Sequence, residues 1–461
     1  MPTVIENTTT LTSINPLNGE TVGHVPITPV GEVKDIVRAA HKAQEQWGAM
    51  TPAQRAAIIA PAAERFRQEA DRLGTLMTGE MGKIFSESRG EAIYVADSIP
   101  GTVEEIAKAV APEEFENDEH QSTIFHDPLG VAACITPWNF PLAMPHSQIM
   151  PALIAGNAVV LKPSEETPLC AQAYADILNE FLPENVLQVV HGADEQGKAL
   201  TAADVDLIVF TGSREVGKLI HAAASERLVR VILELGGKDP LIVLDGAEID
   251  AAAEYATMNT FRNAGQACIS TERIYVQDAI ADEFIGAFVA RAKALTIGDG
   301  LDEASDVGPM VNETQRAHVL AQLQDAAKQG ATMPAGGVDH PDAFIRPTVI
   351  TDVTDAMDIA REETFGPVTT VYRVKDADEA VALANDSPFA LGASVFGPDE
   401  LAYSVARRLT AGMVGVNQGL RGVAGMPWVG AKESGYGYHG STDGHRLFCQ
   451  TRVVSRPSRT P

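Results

Sequence analysis

The chain has 461 residues, 45% of them hydrophobic, which predicts two or three folding units with buried cores and excludes wholesale disorder. Its 62 acidic against 35 basic side chains give a formal net charge of −27, a field that repels nucleic-acid backbones and anionic membranes. The four cysteines Cys134, Cys170, Cys268 and Cys449 form no CxxC pair, which excludes a disulfide framework and a zinc site, so no metal is expected.

From Met1 to Pro16 there is no basic start followed by an apolar stretch, so no targeting peptide is expected and the chain reads as cytoplasmic. Val30 to Lys108 is helical in pattern. A short strand pair is expected near Ser122 to Phe125 and Gly130 to Ile135. The most apolar region, Ile149 to Leu161, is interrupted by Pro151, Gly156 and Asn157 and is too short for a bilayer.

Strand-length apolar runs then alternate with helical segments. Ala158 to Leu161, Val186 to Val190, Leu207 to Phe210, Val229 to Leu233 and Leu241 to Leu244 read as buried strands. Leu169 to Phe181 and Val216 to Ala224 read as the helices between them. That order predicts right-handed crossovers and parallel sheets covered on both faces. A break after Gly236–Gly237 marks a domain boundary. Beyond it come helices around Glu254 to Asn263 and Ala281 to Ala294, strands around Arg273 to Val276 and Val368 to Val374, and a strand-like tail at Thr451 to Val454.

Four segments carry chemistry. In Phe261 to Ser270, FRNAGQACIS, Gly265 and Gln266 let the backbone turn tightly and present the Cys268 sulfur to a ligand. A lone cysteine is otherwise more often a small buried hydrophobe. In Ile135 to Pro141, ITPWNFP, Asn139 is a polar amide in a stiff apolar loop, suited to an oxyanion or simply to its own turn. Glu234 in VILELGGKDP stands at the carboxyl end of a buried strand, where desolvation would suit it to general-base work; a paired or solvated strand-end acid is the plainer alternative. Phe210 to Gly217, FTGSREVG, passes from strand to helix through a Gly–Ser turn that favours a phosphate. In Leu161 to Pro168, LKPSEETP, Lys162 and Glu165 lie close together, and a carboxylate there favours the ribose hydroxyl of NAD over the 2′-phosphate of NADP.

Together PWNFP, KPSE, FTGS, ELGGKDP, GQAC and EETFGPV resemble the signature segments of the aldehyde dehydrogenase superfamily, and the spacing Cys268 − Glu234 of 34 residues agrees. The resemblance runs from about Asn15 to Val454 and implies an α/β fold of two parallel-sheet domains plus a small β bridging region. The expected division is 1–110 and 131–236 for cofactor binding, 237–430 for catalysis, and 111–130 with 431–461 for bridging and oligomerisation, in a homodimer or homotetramer. It further implies that Cys268 attacks an aldehyde, that Asn139 and the Cys268 N–H hold the oxyanion, and that Glu234 activates the hydrolytic water. Ile135, Thr136, Pro137, Trp138, Lys162, Ser164, Glu165, Gly212, Ser213, Glu363 and Phe365 are the residues it assigns to NAD.

Near the C-terminus the family pattern PFGGxKxSGxG becomes Pro427 to Gly437, PWVGAKESGYG, with Trp428 and Val429 departing from it beside the expected substrate mouth. The chain is similar to succinate-semialdehyde dehydrogenases and their short bacterial relatives, whose anionic substrate calls for a cation. Where some of them place a basic residue this chain has His146, Ser147 and Gln148; Arg421 is the other candidate anchor, with Trp428 as a pocket wall if neutral aldehydes are the substrates. A CoA-acylating enzyme and a catalytically silent relative are the alternatives; Glu234 argues against the first, and the presence of Cys268, Glu234 and Asn139 against the second.

Overall fold

A computed structural model describes residues 4–458 apart from Thr8 and Arg421, so the expected anchor Arg421 lies outside the described residues. Two large sheets organise the chain. The first has six strands, in the spatial order Gly435–Tyr436, Arg230–Glu234, Leu207–Thr211, Val131–Ile135, Ala158–Lys162, Leu187–Val189. All its pairings are parallel except that of Gly435–Tyr436. The second has seven strands, led from the middle by Asp239–Val243 and Thr271–Gln277, and is parallel except at Thr332–Ala335. The chain passes between the sheets across Leu235–Lys238.

Strand period 2 explains why both sheets are covered on two sides. Along Val131–Ile135, residues 131, 133 and 135 pack into one apolar cluster while 132 and 134 pack into the opposite one. Along Leu241–Leu244 the same alternation divides two further clusters. Five helices between Val33 and Ala109 meet the helical expectation, the longest being Phe85–Ala109.

The expected pairing near residues 122–135 is not formed. His120–Pro128 pairs with Glu113–Glu116 and Cys449–Pro457 in a separate three-stranded sheet, whereas Val131–Ile135 enters the six-stranded sheet. The two strands part at Leu129–Gly130, where the Asn157 side chain accepts both backbone N–H groups and Gly130 takes a φ of 139°. Nor does all of 431–461 lie with the small sheet. Ala431–Lys432 pairs with Phe389–Ala390 and Gly435–Tyr436 with Arg230–Glu234, so this stretch returns to the large domains. Two-residue strands carry no readable alternation, which is why sequence pattern misses them. No helix among the described residues is long and apolar enough to cross a membrane.

Candidate active site

In the first sheet the chain runs outward one way from Val131–Ile135 and the other way from Leu207–Thr211, so a topological switch lies between these neighbours. Ligands of open α/β sheets gather beyond the carboxyl edge at such a point. Here that edge carries Pro137–Asn139, Gly212–Ser213 and Glu234. The second domain faces it with the opposite edge: the loops holding Cys268 and Glu363 lead into Thr271–Gln277 and Val368–Val374. Between them is a cavity of about 550 Å³ lined by Pro137, Trp138, Asn139, Gly212, Ser213, Cys268, Glu363 and Phe365, among others.

The sulfur of Cys268 lies 3.8 Å from Glu234 Oε1. Burial, reinforced by the carboxylates of Glu234, Asp239 and Glu363, pushes its thiol well above the ordinary range. The free site therefore holds a thiol rather than a thiolate. The turn before it has positive φ at three successive residues, Asn263 (52°), Ala264 (54°) and Gly265 (69°). At Gly265 glycine is obligatory, because a methyl group would overlap the backbone carbonyl of Gly366. Asn263 ties the turn together, donating to the carbonyls of Asn139 and Gln266.

Asn139 is buried, and its amide Nδ2 donates to the Gln266 carbonyl at 3.0 Å. Two buried ion pairs back the loops of the site. Lys83 Nζ sits 2.6 Å from Glu91 and donates to the Asn139 carbonyl at 2.8 Å, while Glu91 also accepts the N–H groups of Leu142 and Ala143. Lys238 pairs with Glu272 at 2.6 Å, and Glu272 accepts the N–H groups of Thr364 and Phe365. That grip holds Phe365 at a φ of 50°, its ring edge-on to Trp138 at 5.5 Å. Removing one member of a buried pair leaves the other charge uncompensated. Lys83→Met is therefore expected to lower stability by about 3–5 kcal/mol, measured by urea unfolding; an unchanged midpoint would show that the pair is dispensable.

Glu234 is buried and each of its oxygens has two partners. Oε1 meets Cys268 and the indole N–H of Trp428 (2.7 Å); Oε2 meets the Thr211 hydroxyl (3.2 Å) and His439 Nε2 (3.2 Å). Trp428 is thus directed at Glu234 and does not line the cavity. Thr211, His439 and the two ion pairs are not singled out by sequence reasoning. Glu272 and Arg273, successive charges inside a strand-like run, are the visible signal for one of them.

Of the expected dinucleotide residues, Ile135, Thr136, Lys162, Ser164 and Glu165 stand outside the cavity lining, at the carboxyl ends of two adjacent strands of the same sheet. Lys162 Nζ lies 3.5 Å from Glu165. The Thr136 hydroxyl is buried without a partner, as a site awaiting a polar ligand would leave it. Ser213 caps the helix Arg214–Ser225, whose first turn lines the cavity. Glu363 accepts the Gly237 N–H at 2.8 Å; burial, with Glu272 nearby, raises its pKa to about 8. The residues present therefore fit a dinucleotide. His146 is buried between Ser98 and Tyr174, and burial lowers its pKa to about 4, which makes it an unsuitable cationic anchor.

Comparison with known proteins agrees with this fold. The model of the Aldehyde dehydrogenase family matches residues 4–454. A succinate-semialdehyde dehydrogenase [NADP(+)] of Deinococcus radiodurans is 37% identical over 96% of this chain and 94% of its own. A glutarate-semialdehyde dehydrogenase of Pseudomonas putida is 38% identical over 97% and 95%. The crystal structure of an aldehyde dehydrogenase from Brucella melitensis biovar abortus superposes with a TM-score of 0.94 at 37% identity, covering 98% of this chain and 95% of that one.

Proposed function

The chain belongs to the aldehyde dehydrogenase family, and from that premise we propose that it oxidises a short ω-carboxylated semialdehyde to the diacid through a thioester on Cys268, with NAD as the preferred cofactor. The observation that carries the mechanism is the placement of Glu234 3.8 Å behind the Cys268 sulfur, which lines the same cavity as Asn139.

The Cys268 thiol gives up its proton to solvent as the sulfur adds to the aldehyde carbon. The Asn139 amide and the Cys268 backbone N–H hold the oxyanion that forms. The dinucleotide, when bound, supplies the hydride acceptor that turns this adduct into the thioester. Glu234 then takes a proton from water, whose oxygen attacks the acyl carbon; the C–S bond breaks and the thiol is restored. A base already beside the sulfur favours water over CoA as the acyl acceptor.

Lys162 and Glu165 would hold the adenosine ribose, Thr136 and the turn at Gly212–Ser213 the pyrophosphate, and Glu363 with Phe365 the nicotinamide end. The carboxylate of Glu165 supports NAD, although the Deinococcus radiodurans relative is named for NADP(+). Glu165→Ala is expected to raise the kcat/KM ratio of NADP to NAD at least about tenfold, a change of about 1.4 kcal/mol. A ratio that does not move would remove Glu165 as the selector.

Homo-oligomer formation through the three-stranded sheet is part of the same reading, because its outer strand Cys449–Pro457 is exposed over residues 450–457. Reduced-dinucleotide formation across an aldehyde panel, with NAD and NADP in parallel, tests the whole. Succinate or glutarate semialdehyde should give the highest kcat/KM. Faster oxidation of neutral aliphatic or aromatic aldehydes would overturn the substrate assignment while leaving the chemistry standing.

A further inference from the structure

Trp428 and His439 face each other across an antiparallel bridge, the Trp428 N–H donating to the His439 carbonyl at 2.8 Å. Their rings lie nearly parallel, 14° apart, and each directs a ring nitrogen at a different oxygen of Glu234. We propose that this pair is a clamp that fixes the Glu234 carboxylate for deacylation, so that Trp428 and His439 are positioning residues for the hydrolytic half of the reaction. The inference rests on the thioester reading above.

The four contacts on Glu234 are not equivalent. Trp428 can only donate, so Oε1 is held whatever the protonation of its surroundings. The Thr211 hydroxyl receives a hydrogen bond from Gln148 Nε2 at 2.9 Å, which leaves its own proton for Oε2. His439 completes Oε2 from a ring only 15% exposed. The fourth contact, from Cys268, is the one that chemistry removes: once the sulfur is acylated it has no proton to share. One acceptor position on Oε1 then opens, directed at the acylated sulfur, while three fixed contacts keep the carboxylate from turning. A water molecule entering there meets a base already aimed. Nothing in the family pattern supplies this at position 428, since phenylalanine has no N–H to offer.

Rapid-mixing kinetics with the best semialdehyde and NAD test the proposal in Trp428→Phe, His439→Phe and His439→Gln. The two phenylalanine variants should lose about tenfold to a hundredfold in kcat, as expected for hydrogen bonds to a charged group. Their first turnover should stay within about threefold of the parent, giving a burst of roughly one NADH per subunit. His439→Gln, which keeps a donor, should recover most of the rate. An unchanged kcat, or a slow kcat with an equally slowed first turnover and no burst, overturns the clamp. If His439→Phe does not fold, Trp428→Phe decides alone, and failure of both leaves His439→Gln, whose kcat must stay near the parent's. Mass analysis of the quenched enzyme separates the two levels: no acylated Cys268 peptide in parent or variants sinks the thioester reading, whereas acylation in all with unaltered deacylation sinks only the clamp.

Discussion

Cys268→Ser is expected to abolish turnover, by at least about a thousandfold, while leaving dinucleotide binding intact. A hydroxyl is a far weaker nucleophile than a thiol, and the carboxylates that push the Cys268 thiol upward would oppose an alkoxide still more. The fold has no reason to fail. Serine is smaller than cysteine and can still donate to Glu234. The Trp138 indole, edge-on to Phe365 in the cavity, provides the binding measurement, since dinucleotide bound there should quench its emission. Residual activity above a few per cent would take the nucleophile role from Cys268.

Glu234→Gln should leave acylation able to occur once and block hydrolysis of the thioester. Four groups converge on this carboxylate, and an amide presents one oxygen and one NH₂ in its place. The indole N–H of Trp428 cannot accept, so the amide oxygen must take that side. The NH₂ then faces Thr211 and His439, both of which can adapt, the hydroxyl by rotation and the imidazole by changing tautomer. The variant is thus expected to fold, with kcat reduced by about 10²- to 10⁴-fold and a burst of about one NADH per subunit as the thioester accumulates. Undiminished steady-state turnover would mean that another base activates water.

Much of the fold and site is legible from residue order alone. The parallel sheets follow from apolar runs separated by helical stretches, while Cys268, Asn139 and Glu234 stand out by the stiffness or glycine content around them and take their expected roles from the family resemblance. The residues that escape do so for physical reasons. His439 reaches Glu234 across 205 positions in sequence, on a bridge too short to show any alternation. The sheet hides Thr211 inside an ordinary β-run, where a threonine reads as a strand former. Lys83 and Glu91 look like surface residues of helical segments, because burial of a charge depends on partners that sequence does not place. Trp428, expected as a pocket wall, turns its indole N–H to Glu234. A large aromatic near the substrate mouth reads as a wall, and only the folded arrangement reveals that its one polar atom points the other way.

The contact between Gly265 and Gly366 is main chain against main chain, with no side chain interposed. Side-chain contacts can be retuned by substituting one rotamer for another; this one has no such adjustable part. The turn bearing Cys268 and the loop bearing Phe365 are consequently locked in register. A change in the distance from the Cys268 sulfur to the facing wall of the cavity must therefore come from that wall, through Trp138 and Asn139, where side chains still set the spacing.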